Sequence, residues 1–347
     1  MDIIGIDLHK RESQLCILRA DGGITEQRIV TSRDRFTAIF GSRAPSRVLL
    51  EASTESEWVA PCLEGLGHEV IVADPNYAPM YATRSRRVKT DKRDARTLAE
   101  ALRLGAYRPA HRVSAARRHV RAELAVREAL VRTRTRYIAI AKAFVRREGL
   151  RVPGSESHLV ANRVATLDVP PLLGAELEPL LAVLAPLNAQ IHGADGRITA
   201  FVQADPVIAL LATAPSVGPL TASAVVATID DVTRFSSAHQ FEAFLGLVPG
   251  ERSSGEKRRI GRITKAGNSR ARYLLIEAGW RILRSKSPET AALRAWALKI
   301  AVRRGNRIAV VALARRLAGI LYAMWRDNTP YTVSKVRMPT SPIARAG

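Results

Sequence analysis

The chain has 347 residues, of which 47% are hydrophobic and 25% are charged, proportions that are ordinary for a globular protein. Its formal net charge of +22 is not ordinary; it favours a polyanion as partner, with nucleic acid ahead of a membrane surface. The two cysteines, Cys16 and Cys62, exclude a disulfide framework and a cysteine-rich zinc site. The apolar run at residues 308–325 carries Arg315 and Arg316 in its middle, which argues against a membrane span.

The first 110 residues are predicted to form an α/β domain with a sheet of mixed direction. Three short strands joined by tight turns predict an antiparallel meander, and strands and helices then alternate. The order is βββαβαβα, at residues 1–7, 13–19, 25–30, 32–40, 47–51, 55–66, 68–73 and a helix ending near residue 104. This order matches a ribonuclease-H-like layout, in which the first and fourth strands are neighbours.

Four acids are positioned to meet at one edge of this sheet. Asp7 ends the first strand, Glu51 ends the fourth, and Asp91 and Asp94 share one helix face. Gathered carboxylates repel one another unless a divalent cation neutralises them, and Mg²⁺ or Mn²⁺ accepts such oxygen ligands together with substrate phosphate. The alternative for Asp91 and Asp94 is an ordinary helix start, with Thr90 as N-cap and acids favoured by the helix dipole.

The same N-terminus permits a second interpretation, an actin-like kinase. Such a kinase also opens with a strand, an Asp and a phosphate-binding turn. That turn generally needs glycine, serine or threonine after the Asp, and the Leu-His-Lys at residues 8–10 supplies none of them. The kinase interpretation is therefore disfavoured.

The middle of the chain is predicted to be a helical arm, residues 111–205. Residues 112–147 and 172–202 carry apolar side chains at helical spacing, which predicts an antiparallel coiled coil joined by an irregular segment at residues 151–171. A structural or oligomerising arm is the favoured interpretation. Its arginine-rich outer face is also a candidate for nucleic-acid binding.

The third region, residues 206–327, is predicted to be mainly helical, and residues 328–347 form a tail rich in Pro, Thr, Ser and Arg. The Pro/Gly turn at residues 214–222 resembles a helix-hairpin-helix turn, although such turns also simply connect helices. The predicted helices lie at residues 235–244, 269–284, 289–304 and 306–327.

Residues 246–268 are predicted to be a loop rich in glycine, serine and cations. Within it, Ser254 precedes a glycine, which allows close backbone approach to a substrate. A serine hydroxyl needs an activating base or electrostatic help at the leaving group, and no histidine or Gly-x-Ser-x-Gly elbow accompanies this one. A phosphodiester held by cations and a metal is the most plausible electrophile. The alternative is a flexible basic loop with incidental serines.

Basic residues surround both constellations and are candidate contacts for nucleic acid. They are Lys10, Lys89, Lys92, Arg93, Arg258, Arg259, Arg262, Lys265, Arg270 and Arg272.

These motifs, in this order and over nearly the whole chain, resemble those of the bacterial insertion-sequence-110 family of transposases, also called DEDD transposases. The motifs are GID at residues 5–7 with Lys10, LEAS at 50–53, KTDKRDA at 89–95, PSVG at 215–218, LGLVP at 245–249, SG at 254–255 and KAGN at 265–268 with Arg272. The resemblance implies a RuvC-like N-terminal domain that binds Mg²⁺ through Asp7, Glu51, Asp91 and Asp94.

The resemblance also implies a C-terminal transposase domain whose nucleophile is Ser254, selected over Ser253 because the family's serine directly precedes glycine. Glu256 stands where the family commonly has a small residue. The implied activity is DNA strand exchange through a covalent phosphoserine intermediate, guided by a structured RNA. Dimers that pair into tetramers across the arm, in the bacterial cytoplasm at the nucleoid, are implied as well.

Two other functions remain open on the residues alone. One is a RuvC-like endonuclease that hydrolyses branched DNA, with the serine segment only binding it. The other is a non-catalytic scaffold that binds nucleic acid.

Overall fold

The computed structural model describes residues 1–82, 90–154, 156–254 and 257–333, with side chains for all of these except residues 252–260. The chain divides into two compact units, Met1–Val113 and Ser114–Gly347, which we call unit 1 and unit 2. Some of the predicted features lie outside the described residues: Lys89, Glu256, the side chains of Ser254, Arg258 and Arg259, and the tail beyond residue 333.

Unit 1 is built on one sheet of five strands. In chain order the strands are β1 (Ile3–Asp7), β2 (Glu12–Leu18), β3 (Ile24–Val30), β4 (Arg47–Glu51) and β5 (Glu69–Ala73). Their spatial order is β3-β2-β1-β4-β5; β1, β2 and β3 pair antiparallel, whereas β4 and β5 run parallel to β1. The predicted pairing of the first and fourth strands is confirmed, and the mixed sheet is consistent with a ribonuclease-H-like domain.

Helices cover both faces of this sheet. They are α1 (Arg33–Phe40), α2 (Ser56–Gly65) and α3 (Asp91–Leu104). Ile6 and Leu50 pack in the core beneath α1 and α2, whereas Leu49 packs in a second core with α3. Because successive strand residues point to opposite faces, Asp7 and Glu51 lie on the face that α3 covers.

The close approach of α3 to β1 depends on a glycine. A Cβ added to Gly5 would lie 2.1 Å from the carbonyl oxygen of Ala95 and 2.3 Å from the amide nitrogen of Ala99. Any side chain at residue 5 would therefore push the helix away from the strand. The absence of a side chain at this position brings the first turn of α3 over the end of β1.

Unit 2 begins with a pair of long helices. The helices here are α4 (Ala115–Arg147), α5 (Val160–Ala165) and α6 (Pro171–Ala204). Side-chain bonds from Arg127 to Asp195 and from Arg134 to Asn188 show that α4 and α6 run antiparallel. The segment predicted to be irregular contains α5 and a 3-10 turn, so that prediction was wrong there.

Residues 160–165 form a regular helix because they bury apolar side chains: Val160 and Val164 on α5 pack against Ile138, Ala141 and Val145 of α4. At the other end of the pair, Val120 and Leu124 of α4 pack with residues of the C-terminal helices.

The rest of unit 2 is a helical core with one two-stranded sheet. Its elements are α7 (Pro206–Ala212), α8 (Pro219–Ile229), α9 (Ala238–Phe244), β6 (Pro249–Ser254), β7 (Lys257–Ile263), α10 (Ser269–Arg284), α11 (Ala291–Arg304) and α12 (Asn306–Asp327). The core contains the fully buried Phe241, Leu275 and Leu313. The predicted bounds of α10 and α12 are confirmed, whereas residues 235–237 lie before the start of α9.

Two helices within the described residues, α6 and α12, are long and apolar enough to cross a membrane by length and composition. This is weak evidence for a span, because α12 contributes Leu313, Leu317 and Leu321 to the core of unit 2.

Candidate active site

Strand register brings two of the predicted acids together. β1 and β4 pair from Ile3 with Arg47 to Ile6 with Leu50, so Asp7 and Glu51 follow side by side at the carboxyl ends of parallel strands. Asp91 and Asp94 lie in the first turn of α3. Repulsion from Asp94, Glu51 and Asp91 each raises the pKa of Asp7, so the three other acids all lie within electrostatic reach of Asp7. The structure thus brings the four predicted acids to one place.

Asp7 is the most constrained member of this carboxylate cluster. Its side chain is only 13% exposed, and burial is the largest cause that raises its pKa above the ordinary value of 3.8. His9 lowers this pKa, and the three other acids raise it further. The Oδ2 atom of Asp7 is buried, and no donor among the described residues has hydrogen-bond geometry to it, although His9 Nε2 lies 3.2 Å away. An ionised Asp7 is therefore short of compensating charge.

His9 is a member of the site that the sequence motifs did not reveal. Its Nε2 atom lies 3.5 Å from Asp91 Oδ1, and ligand atoms of Asp7, His9 and Asp91 all lie within 4.8 Å of one another. One signal was available: His9 follows the strand-end acid Asp7 by only two residues, so its side chain begins close to the same strand end.

Tyr81 is a second residue that was missed. It ends a 3-10 turn, Ala78–Tyr81, and its hydroxyl donates a hydrogen bond of 2.6 Å to Glu51 Oε1. A donor this close to a carboxylate forms a strong, charge-assisted bond and restricts the orientation of the acid. The sequence between β5 and α3 also contains Tyr77, and nothing in the pattern distinguishes the two tyrosines.

The start of α3 also has the features of an ordinary helix N-terminus, the alternative interpretation of Asp91 and Asp94. The side chain of Thr90 accepts a hydrogen bond from the backbone N–H of Arg93, as an N-cap does. Asp91 and Asp94 therefore suit the positive end of the helix dipole and join the carboxylate cluster at the same time. Around the cluster, the candidate nucleic-acid contacts Lys10, Lys92 and Arg93 are all exposed.

The donor set of the cluster fits a divalent cation. Its carboxylate oxygens are hard ligands, and the buried, uncompensated Oδ2 of Asp7 is the kind of atom that a cation satisfies. Asp7, His9 and Asp91 place ligand atoms close enough together to hold such an ion, whereas Glu51 and Asp94 are not in that group. The imidazole of His9 adds a nitrogen donor, which Mn²⁺ accepts more readily than Mg²⁺ does.

The second predicted constellation is a hairpin rather than a loop. β6 and β7 pair antiparallel, with Ser253 opposite Arg258 and Ser254 opposite Lys257. The loop prediction was wrong because glycine and cations dominate the composition of this stretch, which gives little apolar alternation to indicate a strand. Both serines consequently lie at the end of β6.

The base of the hairpin is fixed by two glycines in the left-handed region. Gly246 has φ +70° and Gly267 has φ +75°. A Cβ on Gly246 would lie 2.1 Å from the carbonyl oxygen of Ala266, and one on Gly267 would lie 2.0 Å from that of Phe244. The guanidinium of Arg272 donates to the carbonyl of Ala266 at 2.9 Å and to the carbonyl of Leu245 at 3.2 Å. The KAGN motif therefore locks the two ends of the hairpin together.

Two of the predicted nucleic-acid contacts are used inside unit 2. Arg272 holds the base of the hairpin, and Arg270 forms an ion pair with Glu128 of α4. Both guanidinium groups therefore have protein partners, and their assignment as nucleic-acid contacts stays a prediction. Arg262 and Lys265 are exposed.

Comparison with known proteins gives matches over most of the chain. A family model described as "Transposase", of the DEDD type found in IS110, matches residues 4–147, and one described as "Transposase IS116/IS110/IS902 family" matches residues 208–294. A protein of Pseudomonas aeruginosa named "Probable family 20 transposase" is 32% identical, over 94% of this chain and 98% of its own length.

Two further relatives are named as transposases of particular elements. The transposase for insertion sequence element IS1111A of Coxiella burnetii is 28% identical, over 95% of this chain and 91% of its own. The transposase for insertion sequence element IS1328 of Yersinia enterocolitica is 27% identical, over 95% and 98%.

The mixed sheet, the carboxylate cluster and these matches define the class as a DNA-cleaving or recombining enzyme. The chain belongs to the IS110/IS116/IS902 family of transposases.

Proposed function

We propose that this protein catalyses metal-dependent DNA strand exchange for a bacterial insertion sequence, through a covalent phosphoserine intermediate at Ser254. One observation carries the proposal: four acids meet at the carboxyl ends of β1 and β4, with a buried oxygen of Asp7 that lacks a hydrogen-bond donor among the described residues. Family membership supports DNA as the substrate.

In this proposal Asp7, Glu51, Asp91 and Asp94 hold Mg²⁺ or Mn²⁺. When bound, the ion supplies positive charge that relieves carboxylate repulsion and stabilises charge on the reacting phosphate. Tyr81 binds one oxygen of Glu51 and so restricts the orientation of this carboxylate.

Ser254 is the nucleophile. Its Oγ–P bond forms while one P–O bond of the DNA breaks, and the hydroxyl proton is transferred overall to the leaving DNA oxygen. The phosphoester retains the energy of the broken linkage, so a second DNA end can reverse the step without an external energy source. The position of Ser254 at the end of β6, in a hairpin with a fixed base, supports this role.

The remaining partners are also proposals. The net charge of +22 supports contact with DNA and with a structured guide RNA. Leu172 and Val183 on α6 are exposed, and little of the most apolar stretch of α6 is buried, which supports a coiled-coil arm that forms dimers and tetramers. The site of action would be the nucleoid in the bacterial cytoplasm.

The nucleophile is tested with a covalent trap. Protein, Mg²⁺ and labelled element-end DNA are mixed, denatured and run on a denaturing gel, where the wild type should give a protein–DNA adduct. Ser254→Ala should give none, and Ser253→Ala, the matched control one residue away, should retain it. An adduct of normal yield with Ser254→Ala would show that the nucleophile is a different residue.

A second candidate is a structure-specific endonuclease that hydrolyses branched DNA. The carboxylate cluster favours it, because four acids and metal ions suffice to activate water. Free nicked products formed by Ser254→Ala at the wild-type rate would establish hydrolysis in place of strand exchange. Unchanged function after Asp7→Asn would instead indicate a non-catalytic scaffold.

A further inference from the structure

The arginines of α4 fall into two groups. In the first two thirds of the helix they are used inside unit 2: Arg117 pairs with Asp205, Arg121 donates to backbone carbonyls at the end of α8, and Arg127 pairs with Asp195. Further along, Arg132 pairs with Glu128, and Arg134 donates to Asn188. Most of the arginine-rich face of the predicted arm is therefore already occupied by protein.

From residue 136 onward the pattern changes. Residues 136–151 hold five cations and one acid, Glu148. The side chains of Lys142, Arg146 and Arg151 have no hydrogen bond or ion pair with any residue in the described part of the chain. A preference for cations at a helix C-terminus accounts for Arg146, at the end of α4, but it does not account for Lys142 or Arg151.

These three cations line one cavity of about 360 Å³, together with Leu150 and Val152. Lys142 and Arg146 are four residues apart, so they project from the same face of α4. Leu150 and Val152 pack against the apolar cluster shared by α4, α5 and α6, and this packing holds Arg151, which lies between them, beside the last turns of the helix. The cavity is thus built by packed elements.

Three like charges around one cavity repel one another, and no acidic side chain is among the residues that line it. We propose that this cavity binds a backbone phosphate of the DNA substrate. The inference rests on the proposed function only in taking DNA as the ligand. The contact would position the DNA without reading its sequence, because phosphates carry no sequence information.

The test compares two triple variants that remove the same charge. The first is Lys142→Gln, Arg146→Gln and Arg151→Gln; the control is Arg303→Gln, Arg304→Gln and Arg307→Gln, three exposed cations around the junction of α11 and α12. Affinity for a 40-base-pair DNA duplex is measured from low to moderate salt. A plot of log affinity against log salt has a negative slope. The cavity variant should make this slope shallower by about 0.9 for each phosphate that it no longer neutralises, and the control should change it less.

The melting temperature of the cavity variant should match or exceed that of the wild type, because repulsion is removed from the free protein. Equal changes in slope for both variants, or a loss of affinity confined to a structured RNA hairpin used as second probe, would overturn the proposal. Neither result depends on strand exchange. Ser254→Ala should bind the duplex with the wild-type slope, so failure of the nucleophile assignment would leave this inference standing.

Discussion

The carboxylate cluster of unit 1 and the hairpin of unit 2 were both predicted from sequence motifs, yet they are built differently. Asp7 and Glu51 end strands that are buried on both faces, and the backbone of α3 packs directly against Gly5. The hairpin has no comparable packing in its described part; it is fixed at its base by Gly246 and Gly267.

This difference separates two ways of positioning a reactive group. A packed core determines the position of every strand end through register and alternation, so the acids follow from the fold. The hairpin, by contrast, is positioned at its base by the backbone contacts of Gly246 and Gly267, apart from that packed core. Substitutions in the hairpin should therefore lower adduct formation without changing metal binding, whereas substitutions in the carboxylate cluster should lower metal binding and, with it, the metal-dependent adduct.

The largest effect is expected from the loss of one acid. Asp94→Asn should reduce strand exchange by about a thousandfold, which corresponds to several kcal/mol of lost electrostatic stabilisation. Asp34→Asn, an exposed acid in the first turn of α1, removes the same charge and should leave the rate unchanged. Rates are compared by single-turnover assays on element-end DNA. A tenfold effect or less for Asp94→Asn would place this residue outside the reacting centre.

Gly5→Ala should break the carboxylate cluster without affecting the hairpin. The added Cβ meets backbone atoms of α3 at 2.1 and 2.3 Å, so the helix must shift, at a cost of about 1–3 kcal/mol of unfolding free energy. Metal binding, measured by calorimetry, should weaken as Asp91 and Asp94 move. Gly65→Ala is the control, because a Cβ there meets nothing within 4 Å.

Gly246→Ala should have the opposite selectivity. The alanine would have to adopt the left-handed conformation of Gly246, and its Cβ would lie 2.1 Å from the carbonyl oxygen of Ala266. The base of the hairpin must therefore open, at a cost of about 1–3 kcal/mol of unfolding free energy. Adduct formation should fall while metal affinity stays at the wild-type value. Gly261→Ala lies in the same hairpin with only an ordinary contact of 3.4 Å and should retain both. Loss of metal binding in Gly246→Ala would contradict the independence of the two regions.

The smallest of these effects is expected at Tyr81. Tyr81→Phe removes only the hydroxyl that holds Glu51, and loss of such an outer partner typically weakens metal affinity about tenfold or more. Tyr77→Phe is the matched control from the same connection. Equal metal affinity in both variants would mean that the bond to Glu51 has no positioning role.

The strand order and the proximity of the four acids could be predicted from the sequence, because apolar alternation and acids at strand ends are local signals with a fixed geometric meaning. It did not reveal Tyr81, whose contact with Glu51 depends on the path of an irregular connection. The hairpin was missed because glycine and cations, rather than alternating apolar residues, dominate its sequence. The roles of Arg270 and Arg272 were missed because an arginine that binds a carbonyl or an acid has the same sequence signature as one that binds phosphate.

Mn²⁺ titration by calorimetry tests most directly whether the carboxylate cluster is a cation site. The wild type should bind Mn²⁺ at pH 7, and Asp7→Asn should not. Because the pKa of Asp7 is raised above 3.8, protons should begin to compete with Mn²⁺ at a higher pH than at an ordinary aspartate, so affinity should fall as the pH is lowered.

Without metal, Asp7→Asn should melt at a higher temperature than the wild type at pH 7, because a raised carboxylate pKa means that the charged form costs stability. Added Mn²⁺ should then raise the melting temperature of the wild type alone. Equal Mn²⁺ affinity in the wild type and Asp7→Asn would contradict the assignment of the cluster as a cation site.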